Sequence, residues 1–141
     1  MTKRILGTHP NLEWTIEQEK GVCAVSLTGE LDLASCEQLE SALSEMVQQA
    51  PVVIFNLEGL TFIDSTGLRL LIRWREQVLG WGDHFLLRSM SAPARRLLQV
   101  ANLTEWFEYL EGDPPEHKMC PVCDAWMPQE ASECGKCGAA V

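Results

Sequence analysis

Leu12, Trp14 and Ile16 alternate with Glu13, Thr15 and Glu17, the period of a strand with one face in water. Gln18-Glu19-Lys20-Gly21 can turn the chain, and Val22 to Thr28 reads as a second strand, so a hairpin is expected. Gly29-Glu30-Leu31-Asp32 has turn character, and Ser35 with Gln38 fits a capping box at a helix start. Cys36, Leu39, Leu43, Met46, Val47 and Ala50 then recur at three- and four-residue steps, opposite Glu37, Glu40, Ser44, Glu45 and Gln48. That is an amphipathic helix, and Pro51 marks its end. Val52 to Leu57 is apolar apart from Asn56, as in a strand covered on both faces. Leu68, Leu71, Ile72, Val78 and Leu79 line a second helix, which Gly80 and Gly82 end. Phe85-Leu86-Leu87 is a short strand, Ser91-Ala92-Pro93 opens a third helix, and Trp106 to Leu110 offers a last strand. The alternation of strand and helix from Val22 onward predicts an α/β fold. Its sheet is small, mixed and largely parallel, with helical crossovers and the first strand added antiparallel.

One junction in this pattern carries chemistry. Phe62-Ile63-Asp64-Ser65-Thr66-Gly67-Leu68 joins the apolar strand to the second helix. Ligands and partners of open α/β sheets meet the loops beyond the carboxyl ends of strands, and a helix start adds free N–H groups and a positive dipole end. A serine there suits a phosphoryl group. Asp64, Ser65 and Thr66 are equally good helix caps, and Gly67 equally fits close packing. Glycine is also the poorer helix former, so Gly67→Val is expected to damage binding more than helicity.

Asp64-Ser65-Thr66-Gly67-Leu68 after a hydrophobic strand, with Gly29-Glu30-Leu31-Asp32 upstream, resembles the STAS domain of bacterial anti-sigma factor antagonists. The resemblance covers residues 10–111. It implies a STAS-like fold and a module that binds an anti-sigma factor, often a serine kinase, to free a sigma factor for transcription. It also implies Ser65 as the phosphoacceptor and Asp32, Asp64, Ser65, Thr66 and Gly67 as the partner-binding residues, with a phosphatase as a further partner. STAS-like domains also serve beside transport ATPases or in larger signalling assemblies without a phosphoswitch, and that alternative stays open.

Composition narrows the partners. A chain of 141 residues holds one ordinary domain and a small appendage. Its net charge of −9 disfavours nucleic acid as the partner of the whole chain. No apolar run approaches the ~18 residues of a membrane span. Met1-Thr2-Lys3-Arg4-Ile5-Leu6-Gly7 lacks the hydrophobic region of a signal peptide, which points to a cytoplasmic protein. No general base is tied to Asp64 and Ser65 by sequence and the glycine-rich phosphate cradle is absent, so an enzyme is not expected.

Glu111 to Lys118 breaks the pattern with paired prolines, charges and a glycine, and residues 112–119 read as a linker with His117 exposed in it. Residues 120–141 then form a module of their own. Cys120-Pro121-Val122-Cys123 and Cys134-Gly135-Lys136-Cys137 resemble the two knuckles of a zinc ribbon. Each two-residue spacer lets both thiolates reach one metal, so Cys120, Cys123, Cys134 and Cys137 complete a closed, structural shell. So short a segment needs metal to fold. Zinc is favoured over iron in a rubredoxin-like site. Lys136 is the one cation in residues 120–141, so a protein contact fits this module better than nucleic acid.

Overall fold

A computed structural model describes residues 3–46, 50–81, 84–110, 117–123 and 126–140. The expected hairpin is present as β2 (Leu12–Glu19) and β3 (Val22–Leu31). Lys20 at φ 50° and Gly21 at φ 79° form its two-residue connection, the paired positive values of a type I′ turn. A strand absent from the hydropathy reading precedes it: β1 (Lys3–His9) pairs antiparallel with β2 at the sheet edge.

Helices and strands then alternate. They are α1 (Leu33–Met46), β4 (Val52–Ile63), α2 (Ser65–Trp81), β5 (His84–Arg88), α3 (Ala92–Val100) and β6 (Glu108–Tyr109). The six strands form one sheet in chain order. β2 pairs antiparallel with both β1 and β3, while β3 to β6 run parallel. This is the mixed, largely parallel α/β sheet that the alternation predicted. Residues 47–49, which the sequence assigned to the end of the first helix, and Gly82 lie outside the described residues.

Two local expectations are corrected. Gly29-Glu30-Leu31 is not a turn but the end of β3, where irregular register against β4 falls between Ser26 and Thr28 and between Gly29 and Glu30. The capping box uses Asp32 and Ser35, not Ser35 and Gln38. The Ser35 N–H donates to Asp32 Oδ1 and the Asp32 N–H donates to Ser35 Oγ, each at 3.0 Å. Ser35 is wholly buried, and its hydroxyl is satisfied there by donating to the Glu30 carbonyl.

The core lies between one sheet face and the helices. Val53, Phe55 and Leu57 of β4 and Phe85 and Leu87 of β5 pack with Leu39 and Leu43 of α1, Leu70, Leu71 and Trp74 of α2, and Leu98 of α3. Phe55 and Phe85 lie 5.2 Å apart between ring centres, and Phe107 extends the stack beyond Phe85. Val52, Ile54 and Leu86 form a small cluster on the other face, so β4 is apolar on both sides as its sequence requires.

The cysteine module has its own hairpin, β7 (His117–Met119) and β8 (Trp126–Pro128). Its first strand begins inside the stretch expected to be linker, of which residues 111–116 lie outside the described residues. His117 is corrected from exposed to buried, at 5%. Its N–H donates to the Lys20 carbonyl at 2.9 Å, which seats the module on the β2–β3 turn. Gly21 is required there. A Cβ at that position would stand 2.8 Å from His117 Cβ and 3.0 Å from the Trp126 ring.

Candidate functional site

Two parallel strands end together and each is followed by an aspartate. Leu31 of β3 is in register with Ile63 of β4, and the Asp64 N–H reaches the Leu31 carbonyl at 3.4 Å. Asp32 and Asp64 therefore start α1 and α2 side by side. Both line one shallow depression with Leu33, Ala34 and Glu37.

Asp64 is the cap of α2. Its Oδ1 accepts from the Thr66 N–H at 2.9 Å and the Gly67 N–H at 3.1 Å, and its carbonyl accepts from Leu68. The neighbouring hydroxyl is thereby spared. Ser65 is exposed at the first helical position, and its Oγ makes no hydrogen bond among the described residues. Of the three caps that the sequence allowed, aspartate holds the role because its short side chain reaches both N–H groups at once.

Gly67 is buried where α2 meets the end of β3. A Cβ there would come within 2.8 Å of Ile63 Cγ1 and 2.9 Å of the Leu31 carbonyl oxygen. Backbone contact of this kind does not yield. The propensity argument that valine would spare the fold is overturned by this crowding.

Asp32 is held ionised by local bonds. The Ser35 N–H lowers its carboxyl below the ordinary range, burial opposes this, and the Ser35 hydroxyl, the Ala34 N–H and the nearby His9 charge lower it further. His9 was given no role by sequence, because only the pairing of β1 with β2 brings it beside Asp32. Leu33 and Phe62 were also missed. They are exposed at 67% and 45%, although each reads locally as a core residue. Solvent exposure of a large apolar side chain beside paired carboxylates has no signal in sequence period alone. Beneath them lies Cys36, whose thiol burial pushes up to about 12, followed in effect by the charges of Asp64, Glu40 and Asp32.

The other constellation is the cysteine cluster. Sγ atoms of Cys120, Cys123, Cys134 and Cys137 all lie within 4.8 Å of one another. Cys120 and Cys137 stand 3.6 Å apart, as do Cys123 and Cys134. A tetrahedron of sulfurs about 2.3 Å from a zinc ion has edges of roughly 3.8 Å, so the four positions fit a tetrahedral ion. The Val122 N–H donates to Cys120 Sγ at 3.4 Å, the stabilising contact expected for a thiolate in a tight knuckle. Backbone N–H groups of Cys137 and Lys136 lower the Cys134 thiol to about 6, and that of Cys123 leads in lowering Cys120. These four cysteines can hold a metal ion.

Residues 14–111 match the family model described as "Mlab, STAS domain". An anti-sigma F factor antagonist of Paenibacillus polymyxa is 28% identical over 95 residues, covering 66% of this chain and 81% of the relative. The solved anti-sigma factor antagonist SpoIIAA in its unphosphorylated form has a TM-score of 0.60 at 25% identity, covering 70% of this chain and 88% of that one. The Bacillus cell fate determinant SpoIIAA in its phosphorylated form has a TM-score of 0.56 at 26% identity, covering 70% and 91%. The cysteine module lies outside the family match.

Proposed function

The chain belongs to the STAS domain family, and from that membership we propose that it is an anti-sigma factor antagonist switched by phosphorylation at Ser65. The observation that carries the reading is the division of labour at the start of α2. Asp64 occupies the cap, so the exposed Ser65 hydroxyl has no structural bond to lose. A structural neighbour has been solved in a phosphorylated form, which supports the same chemistry here.

Unmodified, the site offers exposed Leu33 beside Asp32 and Asp64, with Phe62 exposed two residues before Asp64, a mixed apolar and acidic surface suited to a protein partner. The partner proposed is an anti-sigma factor with serine kinase activity, and a phosphatase would reset the switch. A phosphate on Ser65 adds ~1.5–2 negative charges at neutral pH. The N–H groups of Thr66 and Gly67 already serve Asp64, so the helix end has little left with which to neutralise that charge. Phosphorylation would strip the docked surface of its fit by repulsion and desolvation.

The site is read as a binding surface, not a catalytic one, because the Asp64 carboxylate is committed to two backbone donors. No helix among the described residues is long and apolar enough to cross a membrane. The sulfur geometry supports one structural zinc per chain held by Cys120, Cys123, Cys134 and Cys137. Such an ion supplies a cross-link between the two knuckles. Elemental analysis of freshly purified protein should find about one zinc and no iron.

The deciding experiment is affinity capture followed by binding measurements on variants. Ser65→Ala should bind the anti-sigma partner constitutively and keep wild-type stability, since the cap is Asp64. Ser65→Asp and the phosphorylated protein should bind more weakly, in that order. Equal affinity for all forms would leave a constitutive adaptor, and recovery of a transport ATPase would favour the other STAS role.

A further inference from the structure

We propose that the cleft between α3 and the carboxyl ends of β5 and β6 binds a small amphipathic carboxylate. The site is independent of the switch surface and shares no lining residue with it. Its volume is 370 Å³, inside the range of about 300–1,000 Å³ for small-molecule sites. It also sits at the end of the parallel strands where ligands of α/β sheets gather.

Its lining is divided by chemistry. Leu87, Met90, Leu98 and Leu110 make an apolar floor, and Leu87 and Leu98 are fixed in the main core. Arg95 and Gln99 of α3 stand over that floor, on the helix face that also carries Leu98. Among the described residues no carboxylate lines the cleft. Arg95 is the charged residue of the lining, and among the described residues it has no ion pair. Arg4 and Arg73 are paired with Glu17 and Glu40, and Arg75 lies 4.0 Å over the Trp106 ring. An uncommitted guanidinium above an apolar floor is placed to take an anion. Its planar fork matches a carboxylate in two parallel hydrogen bonds.

The walls are held in place. Tyr109 Oη donates to the Thr104 carbonyl at 2.6 Å, which ties the loop before β6 across one side. Burial raises the Tyr109 phenol above its ordinary value, so it stays neutral and does not repel an anion. Ser89 at φ 53° is a non-glycine residue held in the left-handed region where β5 turns into the cleft, and such strain is retained where the surroundings dictate it.

The test is an amide-shift titration of the full-length, metal-loaded protein with octanoate at fixed ionic strength. Octanol serves as the uncharged chain and acetate as the bare headgroup. Octanoate should give saturable shifts at Ser89, Arg95, Gln99, Thr104 and Leu110. Octanol and acetate should bind about tenfold more weakly or worse, the cost of losing the charged pair or the floor. Arg95→Gln should weaken octanoate by about tenfold and leave octanol unchanged, while Gln99→Trp should close the mouth to both. Both positions are exposed, so melting temperatures close to wild type should confirm that the variants fold. Saturable shifts confined to another surface, equal affinity for octanoate and octanol, or no saturable shift at all would overturn the proposal.

Discussion

The sheet domain and the cysteine module solve the same problem with different means. The domain buries rows of Leu, Val, Ile and Phe between its sheet and three helices. The module's cluster is Cys120, Met127 and Cys134, two of them thiols of the four-cysteine group that can hold a metal ion. So small a cluster between short strands offers little apolar area against chain entropy, and the proposed metal would supply the difference. Damage to the domain should therefore be graded, and damage to the module all-or-none. The two meet at one seam, where the His117 N–H bonds the Lys20 carbonyl and Trp126 crowds Gly21. That seam lies at the amino ends of β3 and β4, away from Ser65 at the carboxyl end.

Metal removal tests this difference most severely. Structural zinc contributes apparent free energies of ~10–16 kcal/mol in small zinc modules at neutral pH. A strong chelator, or Cys134→Ser, should abolish the dispersed amide signals of residues 117–140. The sheet should stay folded, with shifts confined to Lys20, Gly21 and Val52 around the seam. Melting of the whole sheet on chelation would break the comparison. Phe55→Ala is the converse experiment. It empties a wholly buried position and should cost ~3–5 kcal/mol in denaturant unfolding of the domain, while zinc stoichiometry stays unchanged.

The same contrast explains what the sequence made legible. Alternation at Leu12, Trp14 and Ile16 and helical spacing from Cys36 to Leu43 report burial directly, so the alternation of strands and helices followed. The Cys-x-x-Cys pairs report metal geometry just as directly, because two-residue spacing alone brings sulfurs together. β1 escaped because Lys3 to His9 has no clear period and is held by backbone pairing with β2. Both cap assignments needed coordinates, since Asp32 and Ser35, like Asp64 and Ser65, are interchangeable in propensity but not in reach. His117 was misread as exposed because its burial arises from the distant Lys20–Gly21 turn. At the start of α2 the motif marked Ser65 and Asp64, but only the fold brings Asp32 and exposed Leu33 beside Asp64 and His9 toward Asp32.

Gly67→Val sharpens the comparison within the domain. The added side chain meets Ile63 and the Leu31 carbonyl at the root of both helices, so overpacking should cost ~1–3 kcal/mol. The unfolding midpoint should fall, and partner affinity should fall with it because Asp32 and Asp64 are displaced together. A stable variant that had lost only binding would assign Gly67 to the interface instead of the packing. Metal content should not change in either case.

Acid separates the two regions by mechanism. In the proposed metal site each ligand would be a thiolate, so protons would compete with metal and occupancy should fall as pH drops. In the domain the group to follow is Asp32, whose carboxyl is held below its ordinary value chiefly by the Ser35 N–H. A carboxylate with a lowered folded pKa stabilises fully above its unfolded value of about 3.9. That stabilisation disappears as pH falls through the lower, folded value. Asp32→Ala should therefore cost ~0.5–2 kcal/mol at neutral pH, as for loss of a helix cap. The cost should stay level down to about pH 5 and shrink below about pH 4, as the wild-type carboxyl takes up its proton. Urea midpoints of wild type and variant, measured in parallel across that range, give the difference directly. Loss of metal at the acid end affects both proteins alike and cancels from it. An Asp32→Ala cost that is the same at pH 3 as at pH 7 would mean that the cap acts through its shape and not its charge. Asp32→Asn, which keeps an acceptor oxygen without the titration, should then match wild type at both ends.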